Sequence, residues 1–187
     1  MDKIVAHVID AKSKDLPFSV LDKAFDTPPN ENNFKKYLNE VNQRHFRMTL
    51  SMDDYKYFST WGTTVSELIK FYGNNPDVMC TLIHNLGEEI ISGVAAKLHD
   101  DRPDVIHYNC FGYVKWKLKA SHNETREEYK DKVFEVTLEP NQVIYIKGMT
   151  LHETTPLTKR GSLIFRSFTD TFYKNETEDM INYENSK

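Results

Sequence analysis

The chain has 187 residues, 39% of them hydrophobic and 28% charged, with a formal net charge of −4. This is ordinary globular composition, enough for one domain with a substantial core and too short for two comfortable ones. The mixed-sign charge gives no footprint for nucleic acid or an anionic membrane, and two cysteines are too few for a disulfide framework.

Cys80 and Cys110 both lie in apolar runs and read as buried free thiols. The opening residues Met1-Asp2-Lys3-Ile4 carry no signal-peptide stretch and no segment approaches a membrane span, so a cytoplasmic protein is expected. On that reading the sequons at Asn123 and Asn175 are chance matches.

In chain order, Ile4, Val5, Val8 and Ile9 suggest an opening strand. Phe34, Tyr37, Leu38 and Val41 fall at helical spacing and predict an amphipathic helix after Pro28-Pro29. A second helix is bounded by the capping pattern Thr64-x-x-Glu67 and by the stop Gly73-Asn74-Asn75-Pro76. From Val78 the pattern changes to short β-rich runs near 78–84, 89–98, 104–111, 113–119, 132–138, 142–147 and 162–169. The polar segment 121–131 reads as an exposed loop or a short solvated helix. One domain is therefore expected, with a helical part at 1–77 carrying edge strands, a β-barrel core at 78–170 and a polar tail at 171–187. The expected class is mainly β with flanking helices.

Of the seven histidines, His7, His45, His84, His107 and His122 read as structural. His99 stands apart because it begins His99-x-Asp101 at the end of an apolar strand, and residues i and i+2 of a strand point to one side. His152 follows a second apolar run, Val143-Ile144-Tyr145-Ile146. Two histidines and a carboxylate form the facial triad that holds iron(II) and leaves open coordination positions. Trp61 and the Tyr55/Tyr57/Phe58 cluster suit a substrate mouth or, more simply, aromatic core.

The spacing Gly93-x5-His99-x-Asp101, with Leu138–Ile146 leading to His152, resembles the two metal motifs of the cupin superfamily. Residues 99–118, HDDRPDVIHYNCFGYVKWKL, resemble the Jumonji-C-like hydroxylases, particularly bacterial ribosomal oxygenases and the asparaginyl hydroxylase of hypoxia-inducible factor. The segment Gln43–Leu50 is similar to a strand lining the cosubstrate pocket of the latter. The resemblance spans residues 43–169 and is firm only around the two metal segments. It departs from the pattern at Asn141-Gln142, where Gly-Asp is usual, and at Lys147, where Pro is common. Asn tolerates a left-handed turn position, so the turn can survive.

The resemblance implies a double-stranded β-helix and an Fe(II)/2-oxoglutarate-dependent dioxygenase, with O2 as co-reactant and His99, Asp101 and His152 as ligands. The far carboxylate of 2-oxoglutarate then needs a cation. Arg166, fourteen residues after His152, is one candidate. Lys115 is the other, although the matching strand position is Val114 and a lysine one residue on points the opposite way. Asn109 would donate to the inner carboxylate or else satisfy backbone. Thr154 and Thr155 would orient His152 or stay exposed. The substrate would be an amino-acid side chain in a peptide or protein, or a small molecule. Two other readings stay open: a cupin metalloenzyme without 2-oxoglutarate, and a barrel that binds a ligand without catalysis.

Overall fold

The computed structural model describes residues 18–42, 47–50, 54–62, 65–67, 78–87, 96–101, 103–120 and 127–167. The expected strand at Ile4–Ile9, most of the helix after Thr64 and the tail lie outside these residues. Ten strands are described: β1 (Phe18–Leu21), β2 (Arg47–Thr49), β3 (Val78–Asn85), β4 (Ala96–Asp100), β5 (Asp104–Phe111), β6 (Val114–Lys119), β7 (Val133–Leu138), β8 (Gln142–Ile146), β9 (Leu151–Pro156) and β10 (Arg160–Ser167). They form a six-stranded sheet, β1-β8-β5-β10-β3-β2, and a four-stranded sheet, β4-β9-β6-β7. Every pairing is antiparallel.

The larger sheet is buried on both faces, which is why β5, β8 and β10 read as continuous buried runs rather than alternating ones. One face carries Val105, Ile144, Ile146 and Ile164, packed against Val114, Trp116, Leu118 and Leu138 of the smaller sheet. The other face carries Cys80, Leu82, Ile106, Tyr108, Leu163 and Phe165, and the N-terminal part packs there. The smaller sheet alternates, as β6 and β9 show, because its outer face meets solvent.

Helix α1 (Glu31–Glu40) starts at Asn30, whose side chain accepts from the backbone of Asn32 and Asn33 while Asn33 reaches back to the Asn30 N–H. Its buried face, Phe34, Tyr37 and Leu38, is the one its spacing predicts. A short helix α2 (Tyr55–Phe58) runs into a 3₁₀ turn (Ser59–Trp61). Phe34–Trp61, Tyr37–Phe58 and Phe58–Trp61 ring centroids lie 4.8, 4.9 and 4.5 Å apart. Trp61 and Phe58 are therefore core, with each buried ring contributing roughly 1.5–3 kcal/mol. This layer presses so closely on β10 that a Cβ at Gly161 would collide with Phe111 and Phe34.

Asn141 takes the left-handed turn position expected of it, φ +67°. Its amide exchanges hydrogen bonds with the Phe25 backbone at 2.8 and 2.7 Å, pinning the N-terminal segment to the barrel. Cys80 and Cys110 are buried free thiols, pushed well above the usual range by burial. Among the described residues no helix is long and apolar enough to cross a membrane.

Candidate metal centre and cavity

His152 lies on β9 itself, a strand the sequence does not announce. The inward positions of Leu151–Pro156 are His152, Thr154 and Pro156, so the period-2 burial is present without an apolar pattern. Antiparallel pairing sets His152 opposite His99 of β4 and beside Leu118 of β6. Asp101, just past the end of β4, faces the same cavity. The ligand atoms of His99, Asp101 and His152 all lie within 4.8 Å of one another. The two imidazole centroids are 4.4 Å apart, and His152 Nε2 is 3.6 Å from Asp101 Oδ2.

The tautomer of His152 is fixed by a backbone carbonyl. Its Nδ1–H donates to Thr150 O at 2.9 Å, which leaves the Nε2 lone pair facing Asp101 and His99. Burial holds this imidazole below its ordinary range, outweighing the opposing pull of the Thr150 carbonyl and Asp101. The neutral form is the ligand form. For Asp101, burial pushes upward, but Arg166 and His152 together with the Arg166 hydrogen bond overcome it and keep the carboxyl below its usual value. Thr150, not Thr154 or Thr155, orients His152; Thr154 is buried against the cavity and Thr155 is only half-buried.

The cavity beside the triad is about 90 Å³. Arg166 lines it, as expected, but at the triad end: Nη2 donates to Asp101 Oδ2 at 3.2 Å and Nη1 to Thr81 Oγ1 at 3.4 Å. Lys115 is on the outer face of the smaller sheet, paired with Glu135 at 2.8 Å in solvent, as strand alternation requires. Asn109 does not line the cavity either. Its amide donates to the carbonyls of Gly112 and Glu139 at 2.7 and 2.9 Å, and its oxygen accepts from Ser162. Its second reading, a buried amide satisfying backbone, is the one the structure shows.

Sequence reasoning overlooked Arg160, His107 and Trp116, which line the same cavity. Arg160 is 1% exposed at the start of β10, about 20 Å along the strand from Arg166 by strand rise. Its Nε donates to Asn85 Oδ1 at 2.7 Å, while Nη1 has no partner, and no carboxylate of the described residues is within ion-pair distance. Burial lowers its pKa to about 10. Both nitrogens of His107 and the Trp116 Nε1 are likewise buried without partners. Their rings meet edge to face at 5.0 Å. Burial, and then the nearby arginines, holds His107 well below the ordinary histidine range, so it is neutral. A signal was available for Arg160: Arg160, Ser162, Ile164 and Arg166 alternate with Gly161, Leu163 and Phe165, so both arginines share the inner face.

No protein-family model and no curated protein matches the sequence. Solved structures do match. YcfD, a ribosomal oxygenase from Escherichia coli, superposes with a TM-score of 0.54 at 13% identity, over 94% of this chain. The fold is the double-stranded β-helix of the cupins. This chain spans only 54% of the YcfD chain. More distant likenesses include an RmlC-like cupin family protein from Methanocaldococcus jannaschii (TM-score 0.35, 10% identity, 48% of this chain and 69% of that one). Another is Streptomyces albus HEPD, solved with 2-hydroxyethylphosphonate and Fe(II) bound (TM-score 0.40, 11% identity, 55% of this chain and 21% of that one). The triad and Arg160 line one cavity of this barrel.

Proposed function

We propose that the protein is an Fe(II)- and 2-oxoglutarate-dependent oxygenase whose iron is held by His99, Asp101 and His152. The observation that carries this reading is one cavity containing a two-histidine, one-carboxylate donor set together with buried hydrogen-bond donors that lack partners. The donor set fits iron(II). It occupies one face, its His152 tautomer is set for coordination, and its carboxylate is held ionised. Bound there, iron(II) supplies the oxidising chemistry that couples loss of CO2 from 2-oxoglutarate to transfer of an oxygen atom from O2 to a C–H bond.

The chain's own residues do the positioning. Arg160 Nη1 is the donor for the far carboxylate of 2-oxoglutarate, in a buried setting where a charge-assisted bond is strong. Trp116 Nε1 and His107 face the same cavity as further donors to the acid. Arg166 holds Asp101 Oδ2 and fixes the orientation of that carboxylate. Ile83, Val105 and Ile164 add apolar wall to the cavity. Arg160, Arg166 and a divalent ion outweigh Asp101, so the cavity carries an excess of positive charge that favours an anionic ligand. Arg160 thereby takes the role that the sequence divided between Arg166 and Lys115. The substrate class stays as the resemblance implies, a side chain in a peptide or protein, or a small molecule.

The test is turnover without any added substrate. With Fe(II), 2-oxoglutarate, air and ascorbate as the reductant that consumes the second oxygen atom, slow succinate formation followed by NMR is expected, and it is lost in His99→Ala. Succinate formation that persists in His99→Ala, or its absence together with no binding of 2-oxoglutarate, refutes the reading.

A further inference from the structure

The turn between β8 and β9 touches two of the three candidate ligands. Thr150 gives its carbonyl to His152 Nδ1 at 2.9 Å, and the Met149 N–H donates to the Asp101 carbonyl at 2.8 Å. The turn closes through Thr150 N–H to Lys147 O at 3.2 Å. It is strained, because Met149 is a non-glycine residue at φ +67°. A strained turn keeps one geometry only where its surroundings over-determine it.

Asp104 does this. It opens β5, three residues after Asp101, and its Oδ1 accepts from the Gly148 N–H at 2.9 Å. Its Oδ2 accepts from the Tyr145 hydroxyl of β8 at 3.0 Å, which fixes the rotation of the carboxylate. Burial, then Asp104 itself, raises the Tyr145 pKa, so this hydroxyl remains a donor. The chain of contacts runs from Tyr145 through Asp104, Gly148 and Thr150 to the His152 imidazole.

We infer that Asp104 is a positioning residue for the metal centre, acting through the 147–150 turn to aim His152 Nε2 and to hold the Asp101 backbone. This rests on the metal reading of the triad. Loss of a contact made directly to a ligating histidine alters metal affinity by roughly 10- to 100-fold, and Asp104 acts one contact further out, through the turn that carries Thr150.

The experiment is titration of the apo-protein with Co(II), read by visible absorption, with apo melting temperature measured alongside. Asp104→Ala is expected to raise the Co(II) Kd by about 10-fold, the lower end of what loss of a direct contact to a ligand does. Asp104→Asn, which keeps an oxygen for Gly148, restores most of the affinity. Tyr145→Phe raises the Kd less than Asp104→Ala does and serves if the alanine variant fails to fold. An unchanged Kd in Asp104→Ala and Tyr145→Phe, with only the melting temperature lowered, makes Asp104 structural and overturns the inference. Wild-type protein that binds no Co(II), or binds it undiminished in His152→Ala, overturns the metal reading itself.

Discussion

Replacing Arg160 separates a ligand-binding arginine from a structural one, because the two roles predict opposite changes in stability. The guanidinium is 1% exposed, its described partner is one amide oxygen at 2.7 Å, and its pKa is lowered to about 10. Folding therefore buries a cation without an anion, which costs free energy that 2-oxoglutarate would recover. Arg160→Met removes the charge and keeps most of the volume. Truncating one partner of a buried charge pair costs about 2–5 kcal/mol of binding, roughly a 30- to 5,000-fold rise in the 2-oxoglutarate Kd. Without 2-oxoglutarate the same variant should melt at an unchanged or higher temperature, since a buried unpaired charge has been replaced by an apolar group. Calorimetric titration of the Mn(II)-loaded protein and melting of the apo-protein read the two quantities. An unchanged Kd with a melting temperature several degrees lower refutes the reasoning and makes Arg160 a strut for Asn85.

Asp101→Ala should abolish binding of divalent metal. It should also lower apo stability by about 3 kcal/mol in urea unfolding, because Arg166 is left buried without its carboxylate; retained metal binding contradicts the triad. Lys115→Ala should leave the 2-oxoglutarate Kd unchanged, since the ammonium pairs with Glu135 on the outer face; a large rise would place it in the cavity. For pH, the unfolded chain protonates the His107 imidazole near 6.5, whereas burial keeps it neutral in the fold. The unfolded state then binds more protons below that pH, so stability falls as pH falls from about 6.5, by up to ~1.4 kcal/mol per pH unit. His152 acts in the same direction. Urea unfolding at pH 7.5 and 5.5 should show the loss, and His107→Phe should reduce it; a flat wild-type profile contradicts a neutral buried His107.

The parts of this molecule legible in its sequence were those where periodicity and chemistry coincide. The Phe34, Tyr37 and Leu38 stripe became the buried face of α1, and His99 and Asp101 meet on one side although Asp101 lies just past the end of β4. What was hidden had chemistry in place of pattern. β9 could not be recognised, because its inward residues are His152, Thr154 and Pro156 rather than aliphatics. Arg160 sits in Lys159-Arg160-Gly161, which looks like a solvated turn, and only three-dimensional closure shows that the backbone at Gly112 packs against its Cα and Cβ. His107, in an apolar run, gave no sign of which face it takes; pairing with Ile144 and Ile164 turns it inward. The tie from Asp104 to the 147–150 turn spans more than forty residues of chain and has no local signature.

An oxygenase of this kind requires the triad and the cavity to act as one site. Anaerobic titration of the apo-protein with Fe(II) and then 2-oxoglutarate tests this directly, by the weak visible charge-transfer band of the chelate. The band is expected to appear in wild-type protein, to vanish in His152→Ala, and to need far more 2-oxoglutarate in Arg160→Met. Iron binding without a band, or a band that survives His152→Ala, contradicts the account.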